Sequence, residues 1–408
     1  GKNYGEFAPA EAYTDSSEFA YFGSENEWSQ RMFSKRAADR FYKRQGQRQM
    51  LTILAGRPEE AVKMCAKRID ANPDDTEALF TMTVAYCQLN QVNKAFETMK
   101  QAVAAGLPFQ RFLAGPRDLL QPLTTSAAFK EYRKDHSIDL VHGPMLGAVT
   151  ENSARFWVRT ASETPLEIRV FGDNSADEPV KTVAGKTRAD QDYTAVIEVF
   201  GLEPQTVYSY DLVINDEPVF GKNRPTFLTF SKKGSPMEFE IAFGGGAGFT
   251  PQHERIWDTI YSFHPDALFL LGDNVYIDLP EMPGAFHKYT YYRRQSRPEY
   301  RRLIRSTPVY AIWDDHDCAI DDIWMGPYRD KPDWKMPMLD LFRANWNNPA
   351  YGDAEYPGCW FSFSMGDVDF FLLDCRFYRT NPFAPNPTML GPVQKEWLLD
   401  KLSKSNGE

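Results

Sequence analysis

Four apolar runs, each ending in a polar loop, constrain this chain more than any other feature. They are Phe239-Glu240-Ile241-Ala242-Phe243, Ala267-Leu268-Phe269-Leu270-Leu271, Val309-Tyr310-Ala311-Ile312-Trp313 and Phe370-Phe371-Leu372-Leu373. Strands apolar throughout belong to a sheet covered on both faces. Helical patterns carry Ile256, Trp257 and Ile260 between the first two runs, and Val393, Trp397, Leu398 and Leu402 at the end of the chain. A layered α/β domain is therefore predicted over residues 237–408. The runs lead into Gly244-Gly245-Gly246-Ala247-Gly248, Gly272-Asp273-Asn274-Val275-Tyr276-Ile277-Asp278, Asp314-Asp315-His316-Asp317 and Asp374-Cys375-Arg376. Ligands of open α/β sheets bind beyond the carboxyl ends of the strands, so these side chains are expected to share one edge. That many carboxylates repel one another unless cations neutralise them, and hard oxygen donors suit Ca, Mg, Mn or Fe(III).

Each piece alone has a bland reading. Gly-Asp-Asn is a common turn, a histidine beside acids is usually their satisfied partner, and Cys318, Cys359 and Cys375 suit small buried fillers. Recurrence at successive strand ends outweighs these readings.

Upstream the pattern changes twice. Residues 138–232 alternate polar and apolar in Ser153–Arg159, Leu166–Val170, Tyr193–Val199 and Thr206–Leu212, with turns at Gly172-Asp173-Asn174 and Asn215-Asp216. This predicts a β-sandwich, and Gly201–Tyr208 resembles a late turn and strand of fibronectin III-like domains. Residues 36–135 read as helical. Gly56–Val62 and Asn90–Phe96 align 34 residues apart, the period of tetratricopeptide repeats. A protein-binding groove over 36–110 is one expectation, and a helical cap on the rest of the chain is the preferred one. Residues 1–35 read as an extended N-terminal segment. The chain opens on Gly1, by an engineered start or by removal of a leader peptide.

At 408 residues, two or three domains are expected. With 46 basic and 56 acidic residues the net charge is −10; without a sustained basic face, no nucleic-acid-binding surface is expected. No apolar run reaches the roughly 18–20 residues of a membrane span. Five cysteines without C-x-x-C predict neither a disulfide framework nor a zinc ribbon.

Leu271–Tyr276, Trp313–Asp317 and Leu373–Arg379 resemble the signature blocks of the alkaline phosphatase D (PhoD-like) family of metallophosphoesterases, and the resemblance extends over residues 140–408. It implies a phosphoric ester hydrolase, acting on monoesters or diesters by in-line attack of metal-bound hydroxide. The metals implied are Ca2+ and Fe3+, with Zn2+, Mn2+ or Mg2+ as alternatives. On this basis Asp273 is the expected bridging carboxylate and Tyr276 a ferric ligand. Asp315 and Asp314 are further metal positions, and His316 donates to the charge developing on phosphate or the leaving oxygen. Gly245, Gly246 and Asn274 are the expected phosphate-binding positions, with an extracytoplasmic location.

Two departures stand out. The family block close to F-G-S-C, whose Cys ligates iron, reads Phe243-Gly244-Gly245-Gly246 here. The family's later histidine- and aspartate-containing blocks are missing before Glu408, so the domain is expected to be incomplete at its C-terminus and a continuation to supply the remaining ligands. The alternative is a non-catalytic relative serving as a partner-binding scaffold through its helical repeats. A two-carboxylate carbohydrate-active enzyme ranks last, since it gives no reason for a histidine between two aspartates.

Overall fold

The computed structural model describes residues 46–136, 139–172 and 178–407. The extended segment expected at 1–35, the start of the helical segment, and part of the Gly172-Asp173-Asn174 turn lie outside them. The chain begins with helices α1 (Gln47–Leu54), α2 (Pro58–Ala71), α3 (Thr76–Gln88), α4 (Val92–Ala104), α5 (Gln110–Ala114), α6 (Arg117–Thr124) and α7 (Ala127–Asp135). Pro58 opens α2, where its missing N–H is not needed. Asp75 caps α3 by accepting the Ala78 N–H at 2.9 Å. The α2 and α4 starts at residues 58 and 92 reproduce the 34-residue offset of the sequence.

Strands β1 (Leu140–Gly147), β2 (Ser153–Thr160), β3 (Pro165–Gly172), β4 (Lys181–Lys186), β5 (Thr194–Phe200), β6 (Val207–Ile214), β7 (Glu217–Pro218) and β8 (Thr226–Leu228) follow. They form two antiparallel sheets, β1-β2-β5 and β4-β3-β6-β7 with β8 on β6. Phe156, Val158 and Val199 of one sheet share a core with Ile168, Tyr210 and Leu212 of the other. Asn215 and Asp216 turn β6 into β7 at positive φ, which Asn and Asp tolerate better than other non-glycine residues.

The last part comprises β9 (Ile241–Gly244), α8 (Ile256–Tyr261), β10 (Ala267–Leu271), α9 (Ala285–Gln295), α10 (Pro298–Ile304), β11 (Val309–Ile312), α11 (Asp315–Cys318), α12 (Lys335–Asn345), β12 (Phe361–Met365), β13 (Val368–Leu372) and α13 (Gly391–Lys404). Strands β11, β10 and β9 form a parallel sheet in that order. On β10, Leu268 and Leu270 join a core shared with the N-terminal helices, while Ala267 and Phe269 join the core of the two-sheet unit. Core packing thus runs across the boundaries expected near residues 135 and 232.

Two expectations need correction. The run at Phe370–Leu373 does not extend the parallel sheet: β13 pairs antiparallel with β12. This hairpin stacks on the sheet, with Phe363 and Tyr310 3.9 Å apart at their ring centroids. Nor is the first run covered on both faces. Phe243 is 70% exposed and β9 pairs only with β10 among the described residues. Among those residues no helix is long and apolar enough to cross a membrane.

Helix α9 is the common support of the molecule. Tyr289, Tyr291, Tyr292, Arg293 and Arg294 on it are all buried, so it is a core helix. Tyr289 donates to Glu77 of α3 at 2.9 Å, and Arg111 lies over the rings of Phe80 and Tyr289. Glu77 and Arg111 are themselves buried. The helical segment is therefore a packed layer of the body, held by ring contacts and charge-assisted hydrogen bonds.

Candidate metal centre

The loop after β10 and the start of α11 meet across the top of the parallel sheet. Gly272 makes the approach possible: its φ is +99°, and a Cβ there would lie 2.5 Å from the Asp314 Cβ. Gly272→Ala is expected to destabilise the chain by roughly 2 kcal/mol or more, from backbone strain plus the clash. Urea unfolding measures it, and an unchanged midpoint would show that the two loops are not in contact.

Asp317, 1% exposed, locks the two loops together. Its carboxylate accepts the N–H groups of Asn274 (2.9 Å), Val275 (3.0 Å) and Asp314 (2.9 Å). The Ile277 N–H donates to the His316 carbonyl at 3.0 Å. Behind the loop, the Asn274 carbonyl accepts from Arg294 at 2.5 Å, and Arg294 pairs with buried Glu254.

Held in this way, Asp273, Asp315 and His316 bring one donor atom each to within 4.8 Å of one another. Oδ1 of Asp273 is buried and meets no hydrogen-bond donor among the described residues. Its near neighbour, the Asp315 carboxylate, is an acceptor as well, so a proton or a cation between them would satisfy Asp273 Oδ1 and relieve the repulsion. Burial, with help from Asp315 and Asp314 and against His316, raises the Asp273 pKa to about 6. Tyr276 donates to Asp273 Oδ2 at 3.1 Å, and burial and that carboxylate keep its phenol protonated beyond the ordinary range.

Burial alone would lower the His316 pKa, but its Nδ1 bonds to Asp278, and Asp315 and Asp273 add to the pull, raising it to about 9. His316 is therefore an imidazolium at neutral pH, lying 4.6 Å from the Tyr276 ring. Asp315 is also buried, which raises its pKa, but Arg376, His316 and the Asp322 N–H (2.6 Å) outweigh this and keep it low.

The remaining predicted positions lie elsewhere. Asp314 is outside this donor group and forms an ion pair with the Arg376 guanidinium. The Gly246 N–H donates to the Gly272 carbonyl (3.1 Å), and those of Ala247 and Gly248 to Asp273 O and Gly246 O (both 2.9 Å). The glycine loop thus directs these three donors to the backbone. A Cβ on Gly245 would lie 3.1 Å from the Gly272 carbonyl, so this glycine serves the close approach of the two loops. Asn274 turns its amide to the Ile312 carbonyl at 2.8 Å, a structural use. Of the other late histidines, His287 is buried, with its ring nitrogens on Gly284 N and Leu279 O. Sequence reasoning missed Asp278 and Arg376 as participants, although both lie in the blocks it singled out.

Residues 241–408 match the family model described as PhoD-like phosphatase. They form a PhoD-like phosphatase domain. Residues 137–231 match a second model, described as a domain of unknown function (DUF7800). The solved structure of PhoD aligns at a TM-score of 0.55 with 17% identity, over 64% of this chain and 59% of that one; this likeness shows the fold. The chain thus spans about 59% of the length of the PhoD chain that it matches. Purple acid phosphatase PPD1 from yellow lupin (Lupinus luteus) seeds aligns at 0.46 with 12% identity, over 65% of this chain and 49% of that one. No curated protein matches the chain. Within the PhoD-like domain, the acid and histidine group lies at the carboxyl end of the parallel strands.

Proposed function

We propose that the chain is a metal-dependent phosphoric ester hydrolase whose metal is held by Asp273, Asp315 and Tyr276, with His316 beside it. The observation that carries this reading is the buried Asp273 Oδ1 facing a second carboxylate, with no donor between them, inside a PhoD-like phosphatase domain. An all-oxygen set suits Ca2+ and Fe3+, with Zn2+, Mn2+ or Mg2+ as alternatives. Such an ion, when bound, neutralises the phosphoryl oxygens and activates water at neutral pH.

The chain's own residues do the rest. Tyr276 donates its phenolic hydrogen to Asp273 Oδ2, and it would give up that proton if the phenol were to hold a ferric ion. His316, oriented by Asp278, carries the proton that the departing oxygen needs. Arg376 offsets Asp314 and Asp315, so we assign Asp314 to holding Arg376 rather than to a metal.

The helical segment 36–135 is read as tetratricopeptide-like on its 34-residue helix spacing, and 138–232 as fibronectin III-like on its two antiparallel sheets. An extracytoplasmic location goes with this reading. The burial of α3 against α9 supports a bracing role for the helices over a protein-binding groove. The second reading, a non-catalytic relative, is favoured by Gly246, which offers no side-chain ligand where the resemblance places a cysteine.

Elemental analysis combined with hydrolysis of p-nitrophenyl phosphate and bis(p-nitrophenyl) phosphate tests the proposal. Metal-dependent turnover, lost on chelation and restored by the ion, is expected. A chain that stays metal-free after incubation with all five ions would sink it. Because Asp273 must lose its proton to bind a cation, affinity for Mn2+ is expected to fall about tenfold per unit as pH drops below about 6. Titration from pH 5 to 8 measures this, and a flat profile would remove Asp273 from the ligand set.

A further inference from the structure

We propose that the N-terminal helical segment is part of the metal site's framework, and that Gln47 of α1 is a positioning residue for the loop carrying Asp273 and Tyr276. This inference rests on the reading above, that these two residues face a metal.

Gln47 is completely buried, and its Nε2 donates to the Tyr276 carbonyl at 2.5 Å. The phenol of the same tyrosine donates to Asp273. The contact joins residues 229 apart in sequence, from the first described helix to the loop above the parallel sheet. Gln47 Oε1 is buried without a hydrogen-bond partner among the described residues. Burying an amide with its acceptor unpaired opposes folding, so stability alone does not account for a glutamine here. Residues that break a local rule in this way are expected where function sets the geometry.

The approach of α1 is also specially built. Gly46, its N-cap, has φ +81°, and a Cβ there would lie 2.2 Å from the Tyr289 hydroxyl. Only glycine lets the start of α1 lie against α9, and that placement sets Gln47 beneath the loop. The other braces of the loop, Arg294, Asp317 and the His316 carbonyl, come from the PhoD-like domain itself. Gln47 alone among these comes from the helical segment, so the segment and the site are coupled through one side chain. Outer partners that orient metal ligands typically contribute 10–100-fold to affinity.

The test uses the full chain as wild type, Gln47→Met, Gly46→Ala and Asp75→Ala. Mn2+ affinity is measured by titration, the ferric-tyrosinate absorption band after Fe3+ loading, and thermal unfolding without metal. Gln47→Met conserves volume and exchanges one unpaired buried acceptor for another. It is expected to keep a melting temperature close to wild type while Mn2+ affinity falls about tenfold and the band shifts. Gly46→Ala, which displaces α1, is expected to lose affinity in the same direction. Asp75→Ala removes the cap of α3 and leaves every contact of α1 and the loop named above in place, so it should lower the melting temperature and leave affinity and band alone. Wild-type affinity and band in Gln47→Met would overturn this inference alone. A wild-type chain that binds neither ion would overturn the proposed function and this inference with it.

Discussion

Asp273→Asn is expected to remove bound metal and, with it, turnover, while making the metal-free chain more stable rather than less. Asp273 is the one carboxylate in the group with a buried oxygen that no donor reaches. The amide keeps the shape of the side chain, and Asn tolerates the positive φ of 52° at this position as readily as Asp. What changes is the charge. A pKa raised to about 6 in the folded chain means stability that is complete below the unfolded value and lost as pH rises through about 6. At pH 7 the metal-free fold therefore carries an unfavourable carboxylate, and Asn removes it. Discounted for the group's partial exposure, the gain is about 1 kcal/mol. Metal affinity should fall by at least about 100-fold, beyond what loss of an outer partner does. Elemental analysis and thermal unfolding on the same preparations measure both. Full metal content in Asp273→Asn would exclude the residue, and a large loss of stability would show that its carboxylate has a structural role beyond accepting from Tyr276.

The largest loss of stability is expected at Arg159→Leu, outside the candidate metal centre. Arg159 is completely buried where the two-sheet unit meets the PhoD-like domain. It donates to Gln295 Oε1 (2.7 Å), Asn345 Oδ1 (3.1 Å) and the Asp192 carbonyl (3.3 Å), and pairs with the Asp192 carboxylate at 3.1 Å. Burial, then the neighbouring arginines with Arg159 foremost, keeps His142 neutral. Its Nδ1 therefore accepts from Arg159 at 2.9 Å, while Nε2 donates to Ser296 at 2.9 Å. Leucine would fill part of the space and leave all these acceptors unanswered. Breaking a buried pair in this way costs about 3–5 kcal/mol. Arg188→Leu, which breaks a fully exposed pair with Asp190, is expected to change the unfolding midpoint hardly at all. Equal effects of the two substitutions would show that the junction does not depend on Arg159.

Three features of the fold were legible in the residues because each is local. The 34-residue offset of the helix starts, the alternation in β2 and β5, and the unbroken apolar runs of β10 and β11 follow from side-chain periodicity alone. The clustering of Asp273, Asp315 and His316 was legible too, since strand ends of a parallel sheet share one edge. The illegible parts depend on contacts distant in sequence. Periodicity marks Phe370–Leu372 as a strand, but pairing it with β12 instead of the parallel sheet is a matter of packing against Tyr310. The tyrosines and arginines of α9 look like a surface in the sequence. They are buried because α3 and the loops supply Glu77, Asp192 and Glu254 as their partners. Asp314 and Asp315 are adjacent and chemically identical, yet Arg376 forms its close ion pair with the first, while the second faces Asp273.

By itself, then, the sequence determined the order of the elements and the edge at which acids and histidine gather. Periodicity and like-charge repulsion act within a few residues and need no fold to be read. The tertiary structure alone decided which carboxylate is left without a donor, which histidine is held as an imidazolium, and that Gln47 reaches the Tyr276 loop. Those outcomes depend on burial and on partners tens to hundreds of residues away, and both exist only once the layers have packed.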